Sequence, residues 1–356
     1  MPTPINQTTL PLFENDSGEE SMEAVLRKIV QTIKKHEIFV LTTHVNPDGD
    51  GLGSEVAMYQ ALKRMNKKPI IINTSETPRQ YQFLNKGRII HTYNPARHDR
   101  IIKKADVILV LDISVSKRLD RMQPVVLTAP AIKICIDHHL DNDHFAQLTF
   151  ADDQAPATAE LIYNFIRQDL KQKIDKSIAE PLYTGLITDT GNFRFNATRP
   201  ETLRIAADFL QMGIRPNEIY SNVFEQGSIN TIKLLGLLLE RIKPECGSRF
   251  HWTYLSQDDF TATQTKPSDT EGFVDYTLKL ENSVMGALFY ETPDHYTKIS
   301  LRAKGNVNVQ KFAKGYGGGG HFSASGILIK APFMPTIEKM VKELVKYFET
   351  HYGTGK

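Results

Sequence analysis

Four clusters of ionisable residues share one position in this chain: each follows the end of an apolar segment. The first is His44-Val45-Asn46-Pro47-Asp48-Gly49-Asp50-Gly51-Leu52-Gly53-Ser54, directly after the β-rich run IFVLTT at 38–43 and before a helical stretch. Pro47 and the glycines at 49, 51 and 53 let this loop fold tightly. One imidazole and two carboxylates are then held close together, with a helix N-terminus behind them. Asp112 closes the run at 106–111, and Asp137-His138-His139 closes the run at 132–136. Asp189, in Thr188-Asp189-Thr190-Gly191, ends a helical stretch.

In an open α/β sheet the carboxyl ends of the strands form the crevice that binds ligands, so the first three clusters are expected to converge. Asp48, Asp50, Asp112 and Asp189, with His44 and His138, would repel one another and lose solvation in one crevice unless a cation neutralised them. Oxygen and imidazole donors without a thiolate suit Mn²⁺, with Mg²⁺, Co²⁺ or Fe²⁺ as substitutes. These donors exceed the needs of one ion. Two ions about 3.5–4 Å apart that share a carboxylate suit in-line displacement at phosphorus, which reads as metal-dependent hydrolysis of a phosphoester or phosphoanhydride. Taken singly, such a histidine is more often a packing group and such an aspartate a helix cap. The recurrence at four equivalent element ends carries the reading.

A second signal lies near the other end of the chain. Gly315-Tyr316-Gly317-Gly318-Gly319-Gly320-His321 follows a short predicted helix at 308–314, with Arg302 on the strand before it. Consecutive glycines expose backbone N–H groups, so this loop is expected to form an anion-binding nest, with Arg302 and His321 adding charge for a phosphate. A glycine run alone reads equally well as a surface turn.

The elements that position these groups follow from periodicity. Met22, Val25, Leu26, Ile29, Val30 and Ile33 predict an amphipathic helix over 21–36. β-rich runs at 38–43, 69–73, 106–112 and 132–137 alternate with helical stretches at 54–66 and 156–169, the pattern of a mostly parallel sheet flanked by helices. Ile178, Ala179, Leu182, Tyr183, Leu186 and Ile187 predict a helix with Asp189 at its end. Another helical region is expected over about 216–243, and after Lys243-Pro244-Glu245-Cys246-Gly247 strands alternate at 249–256, 285–291 and 298–303. A final amphipathic helix carries Ile337, Met340, Val341, Leu344, Val345 and Phe348. The expected organisation is a flexible tail over 1–20, an α/β metal-binding catalytic domain over 21–215 and a helical connector over 216–245. A smaller α/β substrate-binding domain with a mixed sheet follows over 246–350.

With 356 residues, 40% apolar and 24% charged, the chain is long enough to bury two cores. Lysine plus arginine number 43 against 41 acidic residues, a net charge of +2, which excludes the broad basic field that long duplex nucleic acid requires. No apolar run approaches the roughly 20 residues needed to cross a bilayer. The acidic start at 13–20 lacks the order of a signal peptide, so a cytoplasmic location without membrane association is expected. Cys135 and Cys246 are too few and too far apart for a thiolate cage and are expected to be structural.

The motifs HVNPDGDGLGS from His44, LDIS around Asp112, Asp137-His138-His139, TDTGNFRF from Thr188 and GGGGHFSASG from Gly317 resemble those of the DHH phosphoesterase superfamily. The two-domain layout is similar to the stand-alone members that add a DHH-associated domain, the nanoRNase and pAp phosphatase type. EGFVDYTLKL at 271–280 and KISLRAKGNVNV at 298–309 resemble that subgroup too, and the resemblance covers about 21–345. Gly51 stands where the family usually has alanine, at a position whose side chain is not a ligand.

The resemblance implies that His44, Asp48 and Asp112 hold one Mn²⁺, and that Asp50, Asp112, His138 and Asp189 hold a second, with Asp112 bridging. His139 would contact the scissile phosphate or orient the attacking hydroxide, and Asp137 would support the histidines. Arg302, Gly318, Gly319, Gly320 and His321 would bind the far phosphate or terminal nucleotide across a cleft between domains. The activity so implied is hydrolysis of short single-stranded RNA, 5′-phosphorylated di- to pentamers, and removal of phosphate from the nucleotide bisphosphate pAp, by a homodimer. A phosphodiesterase acting on cyclic di-AMP or pApA is the alternative within the superfamily, whereas the glycine-rich loop opposes an inorganic pyrophosphatase. A nucleotide or RNA sensor that kept the fold would carry degenerate ligands, and here each is present. Phe193, Arg194, Phe195 and Tyr316 could stack on a base, although aromatic residues beside a glycine turn more often pack.

Overall fold

The computed structural model describes residues 21–139 and 141–353; the tail expected over 1–20 lies outside them. The chain divides into two compact units between Gln226 and Gly227.

The strands of the first unit are β1 (Ile38–Thr42), β2 (Lys68–Asn73), β3 (Ile90–Thr92), β4 (Val107–Leu111), β5 (Ile132–Asp137) and β6 (Leu148–Ala151). They form one sheet in the order β3-β2-β1-β4-β5-β6, parallel throughout. Helices α1 (Met22–Lys35), α2 (Gly49–Arg64), α3 (Pro95–Lys104), α4 (Gln123–Thr128), α5 (Thr158–Asn164), α6 (Lys176–Asp189), α7 (Pro200–Gln211) and α8 (Pro216–Phe224) complete it. Helices cover both faces of the sheet, so its central strands are apolar without alternation. Phe39 and Leu41 pack with Leu52, Met58 and Leu182 on one face. Val40 and Val110 pack with Ile102 and Val126 on the other.

β1 pairs with β2 on one side and β4 on the other, so the winding reverses between β1 and β4. A crevice opens at the carboxyl ends where a doubly wound sheet reverses, and the loops after β1, β4 and β5 border it. α2 and α6 lie antiparallel beside it, and two glycines set their separation. A Cβ on Gly53 would stand 2.2 Å from the Pro181 carbonyl oxygen, and one on Gly185 would stand 2.8 Å from Asp50 Oδ1. Neither contact leaves room for a side chain, so the C-terminus of α6 reaches the N-terminus of α2.

The second unit has strands β7 (Lys243–Glu245), β8 (Phe250–Leu255), β9 (Met285–Glu291), β10 (Thr297–Ala303), β11 (Gly319–Gly320) and β12 (Ala324–Ile329). Their order is β11-β12-β10-β9-β8-β7, mixed because β8 and β9 are parallel and the other pairs antiparallel. Its helices are α9 (Ile229–Glu240), α10 (Gln257–Thr263), α11 (Val309–Gly315) and α12 (Phe333–Tyr352). Ile337, Met340 and Leu344 of α12 pack with Phe289, Ile299 and Leu301. Leu234 and Leu238 of α9 pack with Leu255 and Leu288.

The helical stretch expected over 216–243 is two helices, α8 and α9, one in each unit. The interruption has a local cause: Ser228 caps α9 by accepting from the Thr231 amide, directly after Gly227. The helix expected over 156–169 is α5 followed by a turn of π-helix over Phe165–Asp169. No helix of the described residues is long and apolar enough to cross a membrane.

Candidate metal centre

The loop after β1 is organised by α2. Asp48 is its N-cap: Oδ1 accepts from the amides of Asp50 (3.0 Å) and Gly51 (3.1 Å). Its other oxygen lies 3.5 Å from His44 Nε2. The His44 ring is set by Nδ1–H donating to the Val45 carbonyl at 2.9 Å, which leaves Nε2 as a lone-pair donor. Nε2 is buried and makes no hydrogen bond among the described residues, yet stands 3.3 Å from Asp112 Oδ2.

Asp112 follows β4 in the left-handed region, with φ 64°. A non-glycine residue is held there only when its surroundings fix it. Here its amide donates to the Ile136 carbonyl (3.0 Å), and its Oδ1 accepts from Thr158 Oγ1 (3.0 Å). The turn aims Oδ2 at His44 and places Oδ1 3.6 Å from His138 Nε2. His138 Nε2 also lies 3.1 Å from Asp189 Oδ2 and 3.9 Å from Asp50 Oδ2. Its Nδ1–H donates to the Ala155 carbonyl at 3.2 Å, so Nε2 again faces the carboxylates. Asp50 is fully buried and accepts at both oxygens from the start of α5, the Thr158 amide at 2.6 Å and the Ala159 amide at 2.8 Å. The ring of His139 is bound through Nδ1 to Asp137 Oδ1 at 2.7 Å.

The electrostatics follow from burying this many carboxylates together. Burial alone would lower the His44 imidazole, but Asp112 and Asp48 outweigh it and raise the pKa to about 10. Burial is outweighed in the same way at His138, where Asp189 leads and the value reaches about 11. Burial, reinforced by the fields of Asp112 and Asp189, drives Asp50 well above the usual carboxylate range. Asp189 is also raised by burial, against the opposing hydrogen bond of His138. At Asp137 burial works upward, yet His139 wins and keeps the carboxyl below its ordinary value. Such a set binds protons tightly for the reason that it would bind a cation tightly: negative charge exceeds what the protein neutralises.

The structure brings the predicted donors together in three overlapping groups: His44, Asp48 and Asp112; Asp50, His138 and Asp189; and Asp112, His138 and His139. In each the donor atoms lie within 4.8 Å of one another. The unbonded His44 Nε2 and the imidazole–carboxylate chemistry fit a divalent cation of the Mn²⁺ or Mg²⁺ type. Sequence reasoning missed the residues that hold the donors. Thr158 and Ala159 fix Asp50 and Asp112 from more than 40 residues away, and only the helix start at Thr158 hints at this. Asn73, at the end of β2, accepts from the Thr43 amide (3.2 Å) and donates to the buried Glu55 carboxylate (2.8 Å), which steadies the residue before His44.

Arg302, Gly318, Gly319, Gly320 and His321 belong to the second unit. Arg302 projects from β10 with Nε 3.4 Å from Asp275 Oδ1. The glycines are more ordered than an open nest. Gly319 and Gly320 pair with Gly326 and Ser325, and the Gly318 amide donates to the Ala313 carbonyl at 2.9 Å. A Cβ on Gly318 would stand 2.3 Å from the Gly326 carbonyl, so only glycine can approach β12 this closely. Of the residues considered for stacking, Phe193 lies 6.2 Å from the Tyr183 ring and Tyr316 lies 4.9 Å from the Phe312 ring. Phe195 is exposed, with the Arg194 guanidinium over it at 5.2 Å. Cys135 is buried and donates to the Ile113 carbonyl.

Comparison with known proteins agrees with this geometry. The model of the DHH family, N-terminal domain, matches residues 38–186, and that of the DHHA1 domain matches 255–350. The bifunctional oligoribonuclease and PAP phosphatase NrnA of Thermus thermophilus is 30% identical over 330 residues, 92% of this chain and 95% of that protein. The Bacillus subtilis protein of the same name is 25% identical, over 85% of this chain and 92% of its own. Among solved structures, an exopolyphosphatase-related protein from Bacteroides fragilis superposes with a TM-score of 0.88 at 29% identity, covering 92% of this chain and 97% of that one. The chain therefore belongs to the DHH family and is a phosphoesterase hydrolase in which a DHHA1 domain follows the DHH domain.

Proposed function

We propose that this protein hydrolyses short single-stranded RNA oligonucleotides and the 3′-phosphate of pAp with the help of two divalent cations, Mn²⁺ by preference. The observation that carries the reading is Asp112, whose two oxygens face His44 on one side and His138 on the other. The names of the Thermus thermophilus and Bacillus subtilis relatives support the substrate class.

His44, Asp48 and Asp112 would hold one ion, and Asp50, Asp112, His138 and Asp189 the other. Cations bound there would neutralise the phosphate and lower the pKa of the attacking water. The remaining work belongs to the protein. Backbone amides at the start of α5 hold Asp50 in place, so its geometry needs no rearrangement during the reaction. Asp137, its carboxyl held below its ordinary value, fixes the His139 ring through Nδ1, so His139 can hold a phosphate oxygen or protonate the leaving oxygen. Arg302, His321 and the backbone at Gly318, Gly319 and Gly320 would anchor the far phosphate, which favours substrates of a few nucleotides. The same reading extends to a cytoplasmic homodimer.

One panel tests it: purified protein with Mn²⁺, beside a His138→Ala control, offered pAp, pApA, a five-nucleotide RNA, cyclic di-AMP and pyrophosphate. Turnover of pAp and RNA, abolished by chelation and in the control, is the expected result. A strong preference for cyclic di-AMP or pApA would move the protein to second-messenger degradation. Absence of any turnover would overturn the reading.

A further inference from the structure

Strand β10 sorts its side chains cleanly. Thr297, Ile299, Leu301 and Ala303 are buried, while Lys298, Ser300 and Arg302 alternate with them and are half-buried on the opposite face. That face continues onto β12, where Ser300 pairs with Gly326 and Arg302 with Ala324, and onto β11, where Gly319 pairs with Gly326. On that face Lys298 lies between Leu328 and Tyr290, Ser300 between Gly326 and Leu288, and Arg302 between Ala324 and Gly286, so the small residues flank Ser300 on the β12 side and Arg302 on both sides.

The two cations on this shelf differ. Arg302 already has Asp275 beside it, so the pair is close to neutral. Lys298 has no hydrogen bond or ion pair among the described residues. Its ammonium is folded toward Gly326 and so toward Ser300 and Arg302: a Cβ on Gly326 would lie 3.3 Å from Nζ and 3.6 Å from Cε. Burial pulls the pKa of this lysine below its ordinary value, as expected for an ammonium that has lost part of its hydration without gaining a partner.

The second charge has a use. A terminal phosphate monoester carries about −1.5 to −2 charges near neutrality, whereas a bridging diester carries one and a terminal hydroxyl none. An arginine whose charge is offset by an aspartate does not balance such a dianion. We infer that Lys298 acts with Arg302 and Ser300 as the part of the second unit that selects a terminal phosphate monoester over a terminal hydroxyl or an internal diester. The inference rests on the proposed substrate class and names the residue that reads the end of the chain.

The test is steady-state hydrolysis of one RNA dinucleotide in its 5′-phosphorylated and 5′-hydroxyl forms by wild type, Lys298→Met and Lys298→Arg. With Lys298→Met, KM for the phosphorylated form should rise about tenfold or more, the usual scale for losing a hydrogen bond between charged groups. KM for the hydroxyl form should move far less, and Lys298→Arg should restore part of the preference. Equal effects on both forms, or none on either, would overturn the assignment. If wild type hydrolyses neither dinucleotide, the substrate class fails instead, and AMP binding measured by calorimetry decides on the lysine. Weaker AMP binding by Lys298→Met, at unchanged melting temperature, supports the assignment; equal affinity removes it.

Discussion

The two units present charge to a ligand in opposite ways. In the first, Asp50 and Asp112 are buried and three of the carboxylates are held more than once: Asp50 by two amides, Asp48 by two others, and Asp112 by a hydroxyl and a left-handed turn. In the second, Lys298, Ser300 and Arg302 stand on one strand face, and of the three only the Arg302 side chain has partners among the described residues, Asp275 and the Leu301 carbonyl. Chemistry at phosphorus needs donors placed to within a fraction of an ångström, and that demands redundant support. Recognition of a phosphate needs charge and reach, which a sheet face supplies with few constraints. Single substitutions should therefore act as a switch in the first unit and as a gradient in the second.

The largest effect is expected from Asp112→Asn, which keeps the shape and removes the charge that both halves of the donor set share. The kcat should fall by at least about 10³-fold, the scale seen when a preorganised electrostatic group is lost. Mn²⁺ titration calorimetry should show weakened binding at both positions; loss at one alone would break the sharing argument. Next comes Gly185→Ala. Its Cβ would press on Asp50 Oδ1 at 2.8 Å and on Ala159 Cβ at 2.7 Å, so α2, α5 and α6 must separate. Overpacking of this kind costs about 1–3 kcal/mol. The melting temperature and Mn²⁺ affinity should drop together. Gly319→Ala, whose Cβ meets nothing within 4 Å, should leave the melting temperature nearly unchanged. A similar drop in both would erase the contrast between the units. Smaller again is Arg302→Ala, for which KM should rise about tenfold while kcat is largely retained; a collapse of kcat would mean that the second unit also sets the geometry of reaction.

Legibility divides along the same line. The runs that become β1, β2, β4 and β5 are readable because buried parallel strands are apolar without interruption. β3 and β6 are the edges of that sheet, three and four residues long, and carry no such signal. That six donors meet is readable because each ends an element at the same side of the sheet. The support around them is not, since Thr158 reaches Asp50 across 108 residues and Asn73 reaches Glu55 across 18. Glycine is ambiguous in sequence for a physical reason: it permits an open nest and a close backbone approach equally. At Gly318 and Gly320 the close approach to β12 accounts for it. Lys298 is invisible to a reading of motifs, because an isolated lysine on a strand gives no sign of lacking a partner.

The smallest effect concerns Glu55, which is in the first unit what Lys298 is in the second: an ionisable group without full support. It is wholly buried; Oε2 accepts from Asn73, whereas Oε1 has no partner among the described residues. Burial raises its pKa from 4.5 to about 8, against the opposing hydrogen bond of Asn73. Because the folded value lies above the unfolded one, the protonated acid favours folding. That contribution is complete below pH 4.5 and is lost as pH rises through about 8. Glu55→Gln keeps the bond to Asn73 and removes the titration. Thermal unfolding of the two proteins at pH 7 and pH 8 should show the variant gaining on wild type by about 1 kcal/mol at the higher pH. A gap independent of pH would mean that Glu55 stays ionised when folded, with Oε1 stabilised by charge from the donor set. α2 would then hold one more compensated charge, and the contrast with the half-buried face of β10 would be sharper.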